Sequence, residues 1–105
     1  MDRELIKVGI KSSGYFVPEQ VIENSYFTKF DEDISEEWIT SRTGIYTRRK
    51  VSDGEATSDM AYKAAKSAIT HAGMSPDELD FIILATSSPD MFFPSTACIV
   101  QDKLG

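Results

Sequence analysis

Residues 81–85 read Phe-Ile-Ile-Leu-Ala, and residues 86–90 continue Thr-Ser-Ser-Pro-Asp. Five apolar residues in a row, without alternation, are the pattern of a strand covered on both faces, and such strands are usual in parallel sheets. The polar stretch after them is a loop at the strand's C-terminal end. Ser95 is then placed to cap a last helix that runs to Leu104, with Gly105 at the position just past its end. A buried strand, a loop and a helix are two-thirds of a βαβ unit. The crossover serves to deliver a second parallel strand, and the sequence to residue 105 holds no segment for it. The expectation is an incomplete α/β fold, with residues 1–105 forming a single partial domain of a larger subunit.

Working outward from this core, the clearest element lies just upstream. Thr57 can cap a helix running to about Ala72, with Gly73 after it. Its apolar positions Met60, Ala61, Ala64, Ala65, Ala68, Ile69 and Ala72 follow the spacing of one helix face. That face is mostly alanine, so a neighbouring segment can come close. Ser75-Pro76-Asp77-Glu78 has the cap, the proline and the early acids of a short helical turn. Further upstream, Ile6, Val8 and Ile10 alternate with Lys7, Gly9 and Lys11, the pattern of a strand with one wetter face. Asn24 is a candidate cap for a short helix through Phe30. Ser35, with Glu36 and Glu37 behind it, opens another helix that Gly44 ends. Residues 45–51 are expected as a strand carrying Arg48, Arg49 and Lys50.

Inside the helix that Ser35 opens, Trp38 and Arg42 stand four residues apart, which sets an indole and a guanidinium on one face. Both groups are flat and stack well, and the guanidinium adds charge and donors for phosphate. The pair can clamp the adenine of a nucleotide-like ligand. It can equally be a tryptophan packed into a small core with an arginine lying over its ring. Taken by themselves, the residues favour the packed reading.

The totals exclude several classes. The formal net charge of −6 argues against nucleic acid, which needs a basic surface. No apolar stretch is long enough to span a bilayer. The start, Met-Asp-Arg-Glu-Leu-Ile-Lys, is broken by charges where a signal peptide needs an apolar core. Cys98 is the single cysteine and has no internal partner. A reducing cytoplasm is the expected compartment.

These words, in this order, resemble the N-terminal part of the 3-oxoacyl-[acyl-carrier-protein] synthase III family. The stretches that carry the resemblance are Gly14-Tyr15-Phe16-Val17-Pro18-Glu19 and Glu37-Trp38-Ile39-Thr40-Ser41-Arg42-Thr43-Gly44-Ile45. Ala85-Thr86-Ser87-Ser88, Phe93-Pro94-Ser95-Thr96-Ala97-Cys98 and Leu104-Gly105 complete them. The resemblance implies the N-terminal portion of a thiolase-like fold, with a mixed, largely parallel sheet and flanking helices. It implies an acyltransferase of the condensing type that starts fatty-acid synthesis. An acyl-CoA thioester would be its substrate, an acyl-carrier protein would be met through the C-terminal part, and the assembly would be a homodimer. No tightly bound cofactor and no metal are expected. A polyketide or quinolone-type starter enzyme of the same fold is the near alternative, and a small nucleotide-binding or interaction module is the alternative from another class.

The resemblance also implies roles for particular residues. Trp38 and Arg42 sandwich the adenine of coenzyme A, and Phe93 reaches across a subunit interface to wall the partner's acyl pocket. Ile34 departs from the family pattern, since a threonine commonly helps to hold the adenine there. No residue of this chain matches the family's catalytic Cys, His or Asn, so the piece alone is expected to be inactive. Cys98 matches a noncatalytic cysteine, and its apolar helix neighbours suggest a buried, inert thiol. His71 sits near a helix C-terminus, where its charge suits the dipole. The acids Asp31, Glu32, Asp33, Glu36 and Glu37 have no His or Cys among them and read as a solvated turn rather than a metal site. Met91, Phe92 and Phe93 form an apolar cluster of the kind that marks a contact.

Overall fold

The structure is a computed structural model that describes residues 6–105; the charged start at residues 1–5 lies outside the described residues. The elements in chain order are β1 (Gln20–Glu23), a 3-10 turn (Asn24–Tyr26), α1 (Glu36–Thr43), β2 (Thr47–Lys50), α2 (Thr57–Ala72), a second 3-10 turn (Pro76–Glu78) and α3 (Thr96–Leu104). They fall into two compact units. One is Val17–Ala56, and the other joins residues 6–16 to Thr57–Gly105.

The larger unit is built on α2 and α3. The first turn of a helix leaves backbone N–H groups without helical partners. In α2 the cap comes from far along the chain: the Ser58 N–H donates to Asp90 Oδ1 at 2.8 Å, and Thr57 Oγ1 donates to the Ser88 carbonyl at 2.6 Å. Thr57 is therefore a helical residue that holds the 86–90 loop, rather than the cap expected of it. The Asp90 N–H in turn points at Thr96 Oγ1, 3.4 Å away in the first turn of α3. Lys103, in the last turn of α3, reaches back to Ser58 Oγ at 2.9 Å and pairs with Asp59 Oδ1 at 2.5 Å. Ser58 is fully buried beneath this set, and Thr96 and Val100 are buried beside it. Thr96, Val100 and Lys103 are spaced four and three apart, so one stripe of α3 faces α2. At its other end α2 closes in a Schellman arrangement: Gly73 takes φ 64°, its N–H reaches the Thr70 carbonyl, and the Met74 N–H reaches the Ile69 carbonyl.

The alanine face of α2 receives the 12–14 segment. Ser12 Oγ donates to the Ala68 carbonyl at 2.7 Å, and His71 Nδ1 faces the Ser13 carbonyl at 3.2 Å. A β-carbon on Gly14 would stand 2.4 Å from the Ala68 nitrogen and 2.6 Å from the Ala64 oxygen. Glycine is required there by space. Nearer the start of α2, Lys63 Nζ lies 4.2 Å from the centre of the Phe16 ring.

The smaller unit pairs β1 with β2 antiparallel, Val21 opposite Arg49 and Ile22 opposite Arg48. Arg49 Nη1 donates to the Pro18 and Glu19 carbonyls, tying the strand to the chain that enters it. α1 starts at Ser35, whose Oγ accepts the Trp38 N–H at 3.0 Å, and ends at Gly44 with φ 68°. Ile39 is its buried residue. Both caps stand where the sequence suggests them.

The α/β character is as expected, but the sheet of the described residues is the β1–β2 pair alone. Residues 6–10 and 81–85 take no part in it. In 81–85 the apolar run splits by face: Phe81 is 80% and Ile83 86% exposed, while Ile82 and Leu84 are half-buried. An extended segment becomes a strand only when neighbouring backbone accepts its N–H and C=O groups, and no described residue does so here. Ile39 and Val100 are the buried hydrophobic residues among those described. Stability therefore leans on caps and close backbone approach more than on a wide core.

Two substitutions test this. Gly14→Ala forces a β-carbon into the backbone of α2 and is expected to cost about 3 kcal/mol, the upper range of overpacking. Asp90→Ala removes the distant cap of α2 and is expected to cost about 1 kcal/mol. Equilibrium urea unfolding, followed by helical circular dichroism, measures both.

Candidate functional site

α1 is a helix of eight residues with acids at its start and Arg42 in its last turn, so its charges suit its dipole at both ends. Its buried side, at Ile39, fixes which side faces out. Trp38 precedes Ile39 and is 41% exposed, and Arg42 lies one turn further on. The Arg42 guanidinium carbon stands 4.3 Å from the centre of the Trp38 ring. The structure thus brings together the two residues that the sequence singles out. Their arrangement combines elements of both sequence readings. The guanidinium does lie over the ring, as in the packed reading, but the indole is a partly open surface rather than a core residue. A stack of this kind at a partly exposed site contributes about 0.5–1 kcal/mol. One contact distance separates the two groups, so a third ring enters between them only after the arginine lifts.

What holds α1 in place is Asn24, which is 2% exposed. Its Nδ2 donates to Thr40 Oγ1 at 3.2 Å and to the Ile45 carbonyl at 2.7 Å, and its Oδ1 accepts from Arg48 Nη1 at 2.9 Å. One buried amide therefore joins β2 to the middle of α1 and to the chain that leaves it. Asn24 makes no cap of its own 3-10 turn, against the sequence expectation. Its importance has no signal in a single sequence, because the three partners lie 16 to 24 residues away. Arg48 also sits 4.8 Å from the Phe27 ring and is half-buried, so it is spent on the fold and is not free for a phosphate. Thr43 finishes the exit: its Oγ1 donates to the Ile39 carbonyl at 2.7 Å and accepts the Ile45 N–H at 3.1 Å.

The acidic approach to α1 is a turn. The Asp33 N–H donates to Asp31 Oδ1 at 2.9 Å, and the Ile34 N–H donates to the Asp31 carbonyl at 3.2 Å. Ile34 is half-buried there. Among the described residues no group of three His, Cys, Asp or Glu side chains gathers as a metal site.

Phe93 belongs to the larger unit, on the loop before α3, and is 88% exposed. Cys98 is exposed as well, which corrects the expectation of a buried thiol. The reason is helical phase: Thr96 and Val100 face α2, and Cys98, two residues from each, points the other way. Its Sγ accepts a hydrogen bond from Ser95 Oγ at 3.2 Å. It lines an open groove of about 490 Å³ together with Phe81, Ile82, Ala97 and Leu104. No described helix is long and apolar enough to cross a membrane.

No family model matches the chain. Individual proteins do. The chain is 50% identical over 102 residues to a beta-ketoacyl-[acyl-carrier-protein] synthase III from Caldanaerobacter subterraneus subsp. tengcongensis, a match that takes in 97% of this chain and 30% of that protein. The crystal structure of a 3-oxoacyl-[acyl-carrier-protein] synthase III from Aquifex aeolicus superposes with a TM-score of 0.83 at 48% identity, over 90% of this chain and 30% of that one. The priming beta-ketosynthase of the R1128 polyketide pathway also gives a TM-score of 0.83, at 29% identity, over 91% of this chain and 28% of that one. The chain spans about 30% of the length of the curated relatives it matches. Over nearly all of its own length, in sequence and in fold, it corresponds to the N-terminal part of the 3-oxoacyl-[acyl-carrier-protein] synthases III and carries a partial α/β piece of their thiolase-like fold.

Proposed function

We propose that this chain is the coenzyme-A-recognising part of a condensing enzyme that transfers an acyl group from acyl-CoA and joins it to malonyl-acyl-carrier protein. The observation that carries the proposal is the half-exposed Trp38 indole with the Arg42 guanidinium over it, on a helix of a chain half identical to such enzymes. An adenine has the flat π-face that indole and guanidinium bind, and the phosphates of coenzyme A add negative charge that suits the arginine. In the whole reaction a cysteine thiolate attacks the acyl thioester and releases coenzyme A. Loss of carbon dioxide from the malonyl group then supplies the carbanion that takes the acyl group from the cysteine. No residue of this chain is assigned to those steps, and no resident cofactor or metal is required for them. Contact with the carrier protein belongs to the part of the relatives beyond the matched stretch. Phe93, exposed on its loop, is proposed to wall the acyl pocket of a partner subunit in a homodimer, and the working compartment is proposed to be the cytoplasm.

A second reading, a priming enzyme of a polyketide pathway, is favoured by the equal structural agreement with the R1128 ketosynthase. Both readings use the same acyl-CoA clamp and differ in the pathway that the product enters.

Two measurements follow. Trp38→Ala is expected to weaken acetyl-CoA binding by about 1–3 kcal/mol, the range for a base that loses an aromatic platform. Arg42→Ala removes charge as well as stacking, so the gap between it and the parent protein is expected to shrink as salt rises. Calorimetric titration at two ionic strengths reads both, and unchanged affinity in both variants refutes the clamp. Incubation of the chain with labelled acetyl-CoA is expected to leave Cys98 unacylated by mass analysis; stoichiometric acylation would give that exposed thiol a role denied to it above.

A further inference from the structure

Asn24 spends its whole amide on other elements. Its Nδ2 carries two N–H donors. One goes to Thr40 Oγ1 in the middle of α1, and the other goes to the Ile45 carbonyl just past the end of that helix. Its Oδ1 is held by Arg48 of β2, whose guanidinium is itself seated over the Phe27 ring. The amide is planar, so an oxygen pinned to β2 fixes the direction in which the nitrogen donates. All three partners belong to the smaller unit, as Asn24 does.

Apolar packing does not fix the same thing. Ile39 is the one buried residue of α1, and apolar contact has no direction, so Ile39 alone leaves the helix free to roll about its axis. Hydrogen bonds are directional. Thr40 is two residues from both Trp38 and Arg42, which puts it about 160° round the helix from each. The bond at Thr40 therefore sets the roll from the side opposite the stacked pair. A helix with its side chains is about 10–12 Å across, so a roll of about 10° carries a ring at its rim by about 1 Å. A binding constellation tolerates only about 0.5 Å. We propose that Asn24 is a positioning residue for the Trp38–Arg42 face: by locking the roll of α1 it sets the plane that the indole and the guanidinium present to an adenine. The ligand in this inference rests on the acyl-CoA reading; the positioning of the indole does not.

Trp38 is the single tryptophan of the chain, so its fluorescence reports this face alone. Asn24→Leu keeps roughly the same bulk and removes all three hydrogen bonds. In the 105-residue chain it is expected to retain the helical circular dichroism while acrylamide quenching of Trp38 rises about twofold, since an indole residue now 41% exposed can little more than double its open surface. Acetyl-CoA binding, read by calorimetric titration, is expected to weaken about tenfold, within the range for a displacement of about 1 Å. The same change in a Trp38→Ala background is expected to add little, because residues that act through one another are not additive, whereas a merely stabilising role would add in full. Parent-like quenching in folded Asn24→Leu overturns the proposal, and so does a full further loss of affinity in the Trp38→Ala background. Unchanged affinity in both Trp38→Ala and Arg42→Ala refutes the clamp instead, and quenching then decides the positioning role by itself. If Asn24→Leu does not fold, Thr40→Val decides: it removes one acceptor, leaves the other two bonds of Asn24 in place, and is expected to raise quenching in the same direction.

Discussion

Lys103 donating to the buried Ser58 hydroxyl, while it pairs with Asp59, is the contact around which the larger unit is arranged. Ser58 is fully buried, so its hydroxyl needs a partner or it costs about 1–3 kcal/mol. Supplying that partner from α3 fixes the angle and phase of α3 on the first turn of α2. With that phase set, Thr96 and Val100 turn inward, and Thr96 meets the Asp90 N–H while the Asp90 carboxylate caps α2. The loop between residues 86 and 90 is thereby held from both sides. The Lys103–Asp59 pair is about one-third exposed and by itself adds little, as ion pairs open to water usually do. Its value lies in holding an ammonium over a hydroxyl that water cannot reach.

The smaller unit uses the same device with a different group. A buried amide, Asn24, gathers a hydroxyl, a carbonyl and a guanidinium from three separate places. Trp38 and Arg42 are then presented by a helix whose inner face is fixed at Ile39 and Thr40. In both units the polar side chains that set the geometry are buried and satisfied. Among the described residues no buried side-chain nitrogen or oxygen lacks a partner. The large apolar side chains show the opposite disposition, with Phe81, Ile83 and Phe93 mostly in solvent.

Periodicity and caps by themselves determined the local elements. The alanine-rich face of α2, Gly73 after it, and Ser35 and Gly44 around α1 are all decided within a few residues of chain, so sequence reading finds them. The i to i+4 spacing likewise put Trp38 and Arg42 together without any tertiary information. The motif words carried the relationship to the condensing enzymes, which identity and superposition then bore out.

Tertiary structure alone decided what depends on residues far apart. The cap of α2 moved from Thr57 to Asp90 because a carboxylate 32 residues away reaches the Ser58 N–H. Asn24 and Arg48 became mutual partners, which removed one from capping and the other from phosphate binding. Cys98 turned to solvent because Thr96 and Val100 claimed the inner stripe of α3. The apolar run at residues 81–85 was legible as strand-forming, but a strand is a property of two segments and not of one. Whether its backbone groups are paired is written in the neighbours it meets, which no reading of five residues can supply.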